Sequence, residues 1–135
     1  MASKEQIKEK YEEFKLLQEH IEKISEHINL LTEQQIQIEQ TTTALEDIKK
    51  VELGTEILVP LADGLFIKAN LKDTTEVLVN VGAETIVPRS IDQIKNMLKI
   101  QQEKVTQNIE EAKILLEQFE TEAMGIYREV EQHVQ

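Results

Sequence analysis

The sequence contains no cysteine and no tryptophan, and aromatic residues make up only 4% of its 135 residues. The absence of cysteine excludes disulfide bonds and thiolate metal sites, and it is compatible with a reducing cytoplasm. Compact domains of this length usually hold more large rings in their cores, so an ordinary globule is disfavoured. No apolar run approaches the ~18 residues that span a bilayer, and the first residues lack the apolar run of a signal peptide.

Clusters of basic residues are also missing, although charged residues make up 30% of the chain. The net charge is −11, and it is spread evenly, with −4 in residues 1–50, −3 in 51–90 and −4 in 91–135. Binding to a phosphate backbone or to an anionic membrane needs clustered Lys or Arg. We therefore expect neither nucleic acid nor a membrane as a partner.

Sequence patterns that carry catalysis are absent as well. The chain has no HExxH motif, no glycine-rich phosphate loop and no context for a Ser or Cys nucleophile. His20 and His27 share a helix face, but two helical turns, about 10 Å, separate them, which is too far for both to bind one ion unaided. We predict no enzymatic activity, no catalytic residue, no cofactor and no metal.

Two long stretches, 4–53 and 90–134, carry apolar residues spaced three and four apart. This spacing predicts two helices with heptad seams that pair as a coiled coil. The first seam comprises Ile7, Lys10, Phe14, Leu17, Ile21, Ile24, Ile28, Leu31, Gln35, Ile38, Thr42 and Leu45. The second comprises Ile91, Leu98, Gln102, Val105, Ile109, Ala112, Leu116, Phe119, Ala123, Ile126, Val130 and His133. Polar seam residues such as Gln35 fix the register at some cost in stability.

The predicted starts of both helices carry capping-box patterns. Ser3 is followed three residues later by Gln6, and Ser90 is followed in the same way by Gln93. In such a box each side chain binds the backbone N–H of the other residue, which satisfies donors that the first turn leaves free. At the other end of the first helix, Gly54 is the predicted stop.

Strand-like residues fill the segment 55–88 between the helices. Short strands are predicted at 56–61, 65–71, 76–81 and 85–87, with an Asp63-Gly64 turn after the first. Pro88 is predicted to end the fourth strand, since proline cannot donate a ladder hydrogen bond. The segment therefore predicts two small β-hairpins, and the chain as a whole a single, mostly helical α+β subunit.

Two hairpins are marginally stable alone and leave their edges open. Because both predicted helices lead away from the hairpins, we expect other subunits to cover the apolar face and to complete a shared sheet or β-barrel platform. The predicted assembly residues are Ile57, Val59, Ile67, Leu71, Val77, Val79 and Val81.

If the two helices pair antiparallel, the chain termini meet at one tip. More apolar residues occur near the termini than one seam can bury, because Tyr11, Met124 and Tyr127 lie outside the seam rows. Either they wrap the seam edge, or they form an exposed patch for transient binding. The predicted tip contacts are Ile7, Tyr11, Phe14, Met124, Ile126, Tyr127, Val130 and Val134.

The segment between the helices resembles the α class of prefoldin subunits. The matching landmarks are Leu58-Val59-Pro60, the strand 64–69, Asp73 in the second turn, and Val79-Asn80-Val81-Gly82. The long flanking helices extend the resemblance over nearly the whole chain. The sequence departs from the class at Ala83-Glu84, where many members carry another glycine. The short length without tails favours an archaeal member over a eukaryotic one.

This resemblance implies a cytoplasmic hexamer of two α and four β-class subunits, in which hairpins form a β-barrel platform that carries coiled-coil arms. It also implies an ATP-independent holdase that binds unfolded proteins at the arm tips and transfers them to a group II chaperonin. Two other functions stay open at this point. Related subunits form structural filaments, and a generic coiled-coil adaptor would serve a single folded partner.

Overall fold

The computed structural model describes the backbone of residues 3–134 and the side chains of residues 3–132. Its elements are α1 (Lys4–Lys49), β1 (Glu56–Ala62), β2 (Leu65–Asn70), β3 (Glu76–Gly82), β4 (Thr85–Ser90) and α2 (Ile91–Val134). The predicted helix–hairpin–hairpin–helix order is confirmed. The chain divides into two compact units: a helix-pair unit (Met1–Gln35 with Lys104–Gln135) and a hairpin unit (Ile36–Glu103).

Both predicted capping boxes are present. The Ser3 hydroxyl accepts from the Gln6 N–H at 3.2 Å, and the Ser3 N–H donates to Gln6 Oε1 at 3.0 Å. Ser90 and Gln93 make the same reciprocal pair, with both distances at 3.1 Å. Each box satisfies donors at the first turn of its helix, so local sequence alone sets where α1 and α2 begin.

In the helix-pair unit, the early residues of α1 pack against the late residues of α2, so the two segments are antiparallel. Leu17 forms a buried cluster with Ala123 and Ile126. Every predicted seam residue of the chain with a described side chain is buried or half-buried, which confirms the heptad assignment. Gln35 stays in the seam by donating from Nε2 to the Thr106 hydroxyl at 3.1 Å. Such a polar pair in the seam favours one register of α1 against α2.

The hairpin unit contains two antiparallel two-stranded sheets, β1–β2 and β3–β4. The two hairpins repeat each other with a period of 20 residues, since Glu56 pairs with Asn70 as Glu76 pairs with Ser90. The register also shifts at equivalent places, between the fifth and seventh residues of β1 and of β3. This repeat gives the chain two hairpins of the same register and the same bulge position.

Pro88 does not end the fourth strand, contrary to the sequence prediction, because β4 continues to Ser90. Hydrogen-bonded and non-bonded pairs alternate along an antiparallel ladder. The Ile91 N–H donates to the Thr75 carbonyl at 2.9 Å, which makes Thr75/Ile91 a bonded pair. Counting from it, Pro88 opposite Leu78 occupies a non-bonded position, where the missing N–H removes no ladder bond.

The first helix ends at Lys49, before the predicted limit of residue 53. The Lys50 and Val51 N–H groups bond to carbonyls three residues back, which tightens the chain out of the helix. Gly54 has φ +85° and its N–H donates to the Leu71 carbonyl at 2.7 Å, so it begins the approach to the first hairpin instead of stopping the helix.

The helices cover part of the hairpins, contrary to the expectation that both helices only lead away. Leu45, Ile91 and Leu98 form a buried cluster, and Val77 of β3 packs against it. Ile91, which follows directly from the last strand residue, is the most deeply buried of the three cluster residues. Lys49 binds Asp92 beside this cluster, and the hydrogen bond from Lys49 lowers the pKa of the Asp92 carboxyl.

Asp73 organises the turn between the two hairpins. Its Oδ1 accepts from the Thr75 N–H at 2.7 Å, the Thr75 hydroxyl at 2.8 Å and the Glu76 N–H at 3.3 Å. The hydrogen bonds from Thr75 lower the pKa of the Asp73 carboxyl. The ionised side chain thus holds the amides at the start of β3.

Asp73→Ala is expected to speed hydrogen exchange of the Thr75 and Glu76 amides, while Asp73→Asn, which keeps an acceptor oxygen, slows them relative to alanine. Because the folded pKa is depressed, the contribution of the ionised carboxylate is complete above the unfolded value of about 3.9 and is lost as pH falls through the folded pKa. Amide exchange measured by NMR in all three proteins checks this. Equal protection in wild type and Asp73→Ala would contradict it.

Candidate binding and assembly surfaces

The helix-pair unit carries an apolar groove on one side of its seam. The apolar residues that line it are Phe14, Ile21, Ala123, Met124 and Tyr127. The groove has a volume of about 610 Å³. Ala123 contributes depth because its small side chain lies at a seam position where neighbouring turns carry larger residues. The groove is therefore large enough for several apolar side chains of a bound polypeptide.

Two aromatic contacts join the helices at and beside the groove. The ring centroids of Phe14 and Tyr127 lie 6.0 Å apart at an interplanar angle of 40°. His20 stacks on Phe119 with centroids 5.7 Å apart. Each pair joins α1 to α2, and aromatic pairs at such separations stabilise beyond the apolar area they bury. The groove is thus formed by the pairing of the two helices.

The predicted tip contacts with described side chains fall into three groups. Tyr11, Met124 and Tyr127 are all more than half exposed, which supports the exposed-patch interpretation over simple wrapping of the seam edge. Ile7, Phe14 and Val130 are half-buried. Ile126 is only 7% exposed and belongs to the core cluster with Leu17 and Ala123, so it is a core residue and not a contact surface. The side chain of Val134 lies outside the described residues.

Five of the groove residues were not among the predicted tip contacts: Gln18, Ile21, Glu22, Glu120 and Ala123. Of these five, Ile21 and Ala123 belong to the predicted seam rows. Their positions relative to Phe14 and Tyr127 follow the three-and-four spacing of a single helix face. That spacing is the signal that could have found them.

Two cations of this unit are held by residues of its own. Lys10 of α1 binds Glu129 of α2, and this hydrogen bond raises the pKa of the Lys10 ammonium. The Lys15 ammonium lies 4.9 Å above the centre of the Tyr11 ring, in a cation–π contact. Both interactions hold a lysine ammonium group close to the helix surface, near the exposed aromatic residues.

The hairpins expose a second apolar surface. Side chains alternate between the two faces of each hairpin. In each hairpin one face carries exposed apolar residues, Leu58 and Phe66 in the first and Leu78 and Ile86 in the second, and all four are more than half exposed. We call this set the outer hairpin face. A sheet face this apolar needs a cover, and no described residue of the chain supplies one.

Most of the predicted assembly residues lie on the opposite side of the hairpins. Ile57, Val59 and Ile67 share one face of the first hairpin, and Val77 and Val79 share the equivalent face of the second. Of the predicted set, Ile67 and Val81 are exposed, and the others are half-buried. The outer hairpin face was missed because the strands carry apolar residues on both faces, so that alternation alone does not mark one of them.

The described residues contain no group of three or more His, Asp or Glu side chains that could hold a metal ion. Within the same residues, neither helix has a stretch apolar enough to cross a membrane.

Comparison with known proteins identifies the family. A family model described as prefoldin subunit matches residues 17–135. The chain belongs to the prefoldin family. It is 25% identical to the prefoldin α subunit of Archaeoglobus fulgidus over 130 residues, which cover 96% of this chain and 95% of that protein. It is 29% identical to the α subunit of Thermofilum pendens over 99 residues, which cover 73% and 77%.

These relatives assign the chain to the archaeal α class of prefoldin subunits, as the resemblance of the hairpin segment implies. A chain of a cryo-EM structure described as filamentous PFD from Methanocaldococcus jannaschii shares the prefoldin fold, with a TM-score of 0.67 and 18% identity, covering 91% of this chain and 96% of that one. Prefoldins are a chaperone family, and membership implies oligomerisation with other prefoldin subunits.

Proposed function

We propose that this prefoldin subunit is part of an ATP-independent holdase that binds unfolded polypeptides in the groove of the helix-pair unit. The observation that carries the proposal is the exposure of Met124 and Tyr127 beside a groove of about 610 Å³. Unfolded chains present varied apolar side chains, and flexible methionine adapts to varied shapes. Contacts of this kind are individually weak, so several subunits acting together supply the avidity for capture.

Assembly takes place through the hairpins, in a hexamer of two α and four β-class subunits. The support for this step is the outer hairpin face, together with the open edges of two two-stranded sheets. Strands of partner subunits can pair with those edges and cover the exposed leucines, which would complete a barrel platform. The captured polypeptide is then transferred to a group II chaperonin in the cytoplasm.

Holding does not require chemistry, and we assign no enzymatic activity. The polar lining of the groove consists of Gln18, Glu22 and Glu120, all on exposed helix surface. Catalytic carboxylates work in partly dry pockets where burial shifts their pKa values. Solvated glutamates on a helix pair lack that environment.

A structural filament is the second candidate function. The fold is shared with a protein whose structure is described as filamentous, and a chain with two repeated hairpins offers two similar edges for growth. Head-to-tail contacts that do not close generate filaments, whereas closing contacts generate a discrete assembly. The hairpins alone do not decide between these outcomes.

The proposal is tested by mixing the purified chain with an archaeal β-class prefoldin subunit and measuring mass by light scattering, followed by an aggregation assay. A discrete hexamer that suppresses aggregation of two unrelated denatured proteins without nucleotide supports the holdase. A polymer that grows with concentration supports the filament. Tight binding to one folded protein without suppression of aggregation would contradict both and support an adaptor.

A further inference from the structure

The charged lining of the groove has one sign. Glu22 of α1 and Glu120 of α2 are the charged residues among those that line it, and both side chains are exposed. One comes from each helix, and each follows directly after a seam residue of its own helix, Ile21 or Phe119. An occupant that fills the apolar groove therefore meets a carboxylate from either helix.

The surroundings do not neutralise these carboxylates with a basic cluster. The two segments of the helix-pair unit contain 8 Lys and Arg against 15 Asp and Glu. Of those cations, Lys10 is bound to Glu129, and Lys15 lies over the Tyr11 ring. The groove thus lies in a region of net negative charge, which attracts cations and repels anions.

We propose that the groove selects polypeptide segments in which lysine or arginine flanks apolar residues, over equally apolar segments flanked by acidic residues. This inference rests on the proposed holdase function. The apolar residues of such a segment fill the space between Phe14, Met124 and Tyr127. The long stems of its Lys or Arg side chains lie along apolar surface while their charged ends reach Glu22 and Glu120.

Charge complementarity also disfavours a second copy of this chain as the occupant. The copy would bring its own excess of acidic residues to a groove that already carries two carboxylates. Like charges brought together at an interface oppose binding and suppress wrong partners. A cationic amphipathic segment meets no such repulsion.

The test uses the full chain and two fluorescent peptides with the same apolar centre, one flanked by lysines and the other by glutamates. Fluorescence anisotropy is measured at physiological and at high salt for wild type, Glu22→Gln/Glu120→Gln and Glu33→Gln/Glu110→Gln. The last variant is a matched control because it removes two exposed charges of the same unit. Those charges lie about 15 Å along the helices from the groove glutamates, farther than the screening length of about 8 Å at physiological salt.

We expect wild type to prefer the lysine peptide. The Glu22→Gln/Glu120→Gln variant should bind that peptide about fivefold more weakly at physiological salt, since solvated ion pairs contribute modestly. The control variant should show less than half of that loss of affinity for the lysine peptide. High salt should remove the preference of wild type for the lysine peptide. The same loss in both variants would overturn the inference, because the preference would then follow net charge.

The outcomes separate this inference from the proposed function. If both peptides bind with equal affinity, the groove holds apolar polypeptides and only the charge preference fails. If neither peptide binds to wild type, even when the complex with a β-class subunit replaces the single chain, the groove is no polypeptide site and the proposed function fails with it. Self-association of wild type that occupies the groove and excludes the lysine peptide would also overturn the inference, since a second copy would then be the favoured occupant.

Discussion

Leu78→Asp is expected to leave a folded subunit that no longer assembles with β-class prefoldin partners. Leu78 is 75% exposed within the chain, so a hydrated aspartate there leaves the hairpin intact. In an assembly the outer hairpin face is covered, and burying a leucine contributes about 1.5–3 kcal/mol. An unpaired carboxylate at the same place opposes burial far more strongly. Light scattering of the mixed subunits measures assembly, and far-UV circular dichroism measures the helices.

Leu30→Asp is the matched control, since Leu30 is 59% exposed but belongs to the helix-pair unit. It should assemble like wild type. Val79→Asp should also block assembly, but Val79 is half-buried, so that change is expected to weaken the hairpin itself. A normal hexamer from Leu78→Asp would show that the outer hairpin face is not the assembly surface. Loss of assembly in Leu30→Asp would point to a general effect of added charge.

The helices were predictable because their signals are local and repeated. A heptad seam marks the buried stripe at every turn, and reciprocal side-chain hydrogen bonds mark each start. The end of α1 was less predictable. The hydrogen bond between Gly54 and Leu71 joins positions that the sequence does not show to be neighbours, and it draws the chain out of the helix before the predicted stop.

The hairpins were predictable in number and turn position, but not in how their faces are used. Neighbouring strand residues such as Leu78 and Val79 point to opposite faces of the hairpin, and both are apolar. The sequence therefore does not show which face packs against the rest of the chain. Which face packs inward is set by the cluster of Leu45, Ile91 and Leu98, because Val77 packs against it. That contact joins residues far apart in sequence. The exposed leucines of the opposite face follow from it.

The groove was predictable only in part for a related reason. Tyr11, Met124 and Tyr127 stand outside the seam rows, so their exposure follows from the heptad pattern. Which residues of α1 face which residues of α2 depends on the register between the helices, and that register brings Glu22 and Glu120 to one groove. The apolar spacing of one helix does not show which residues of the other helix it faces. The acidic lining therefore emerged only from the structure.

Replacing Tyr11, Met124 and Tyr127 together by serine is expected to weaken the binding of unfolded proteins by about tenfold at each α subunit while the assembly stays intact. All three side chains are more than half exposed, so the core cluster of Leu17, Ala123 and Ile126 is left in place. The change removes two aromatic rings and a thioether from the binding surface. A tenfold loss of affinity corresponds to about 1.4 kcal/mol, less than burial of one large side chain contributes. The same loss of affinity occurs at each α subunit of the assembly, so the avidity of the complex for an unfolded protein falls further.

The measurement is the yield of soluble denatured client with the assembled complex, at equal concentration of wild type and variant. A triple serine variant at Leu30, Ile114 and Leu115 is the matched control, since these are also exposed apolar residues of the same unit but do not line the groove. Its helices carry the same number of serines, so any general loss of helix stability appears in both variants. Capture that survives only in the control assigns client binding to the surface formed by Tyr11, Met124 and Tyr127. Equal capture by both variants and wild type, with the oligomer intact, would show that these three residues do not carry client binding.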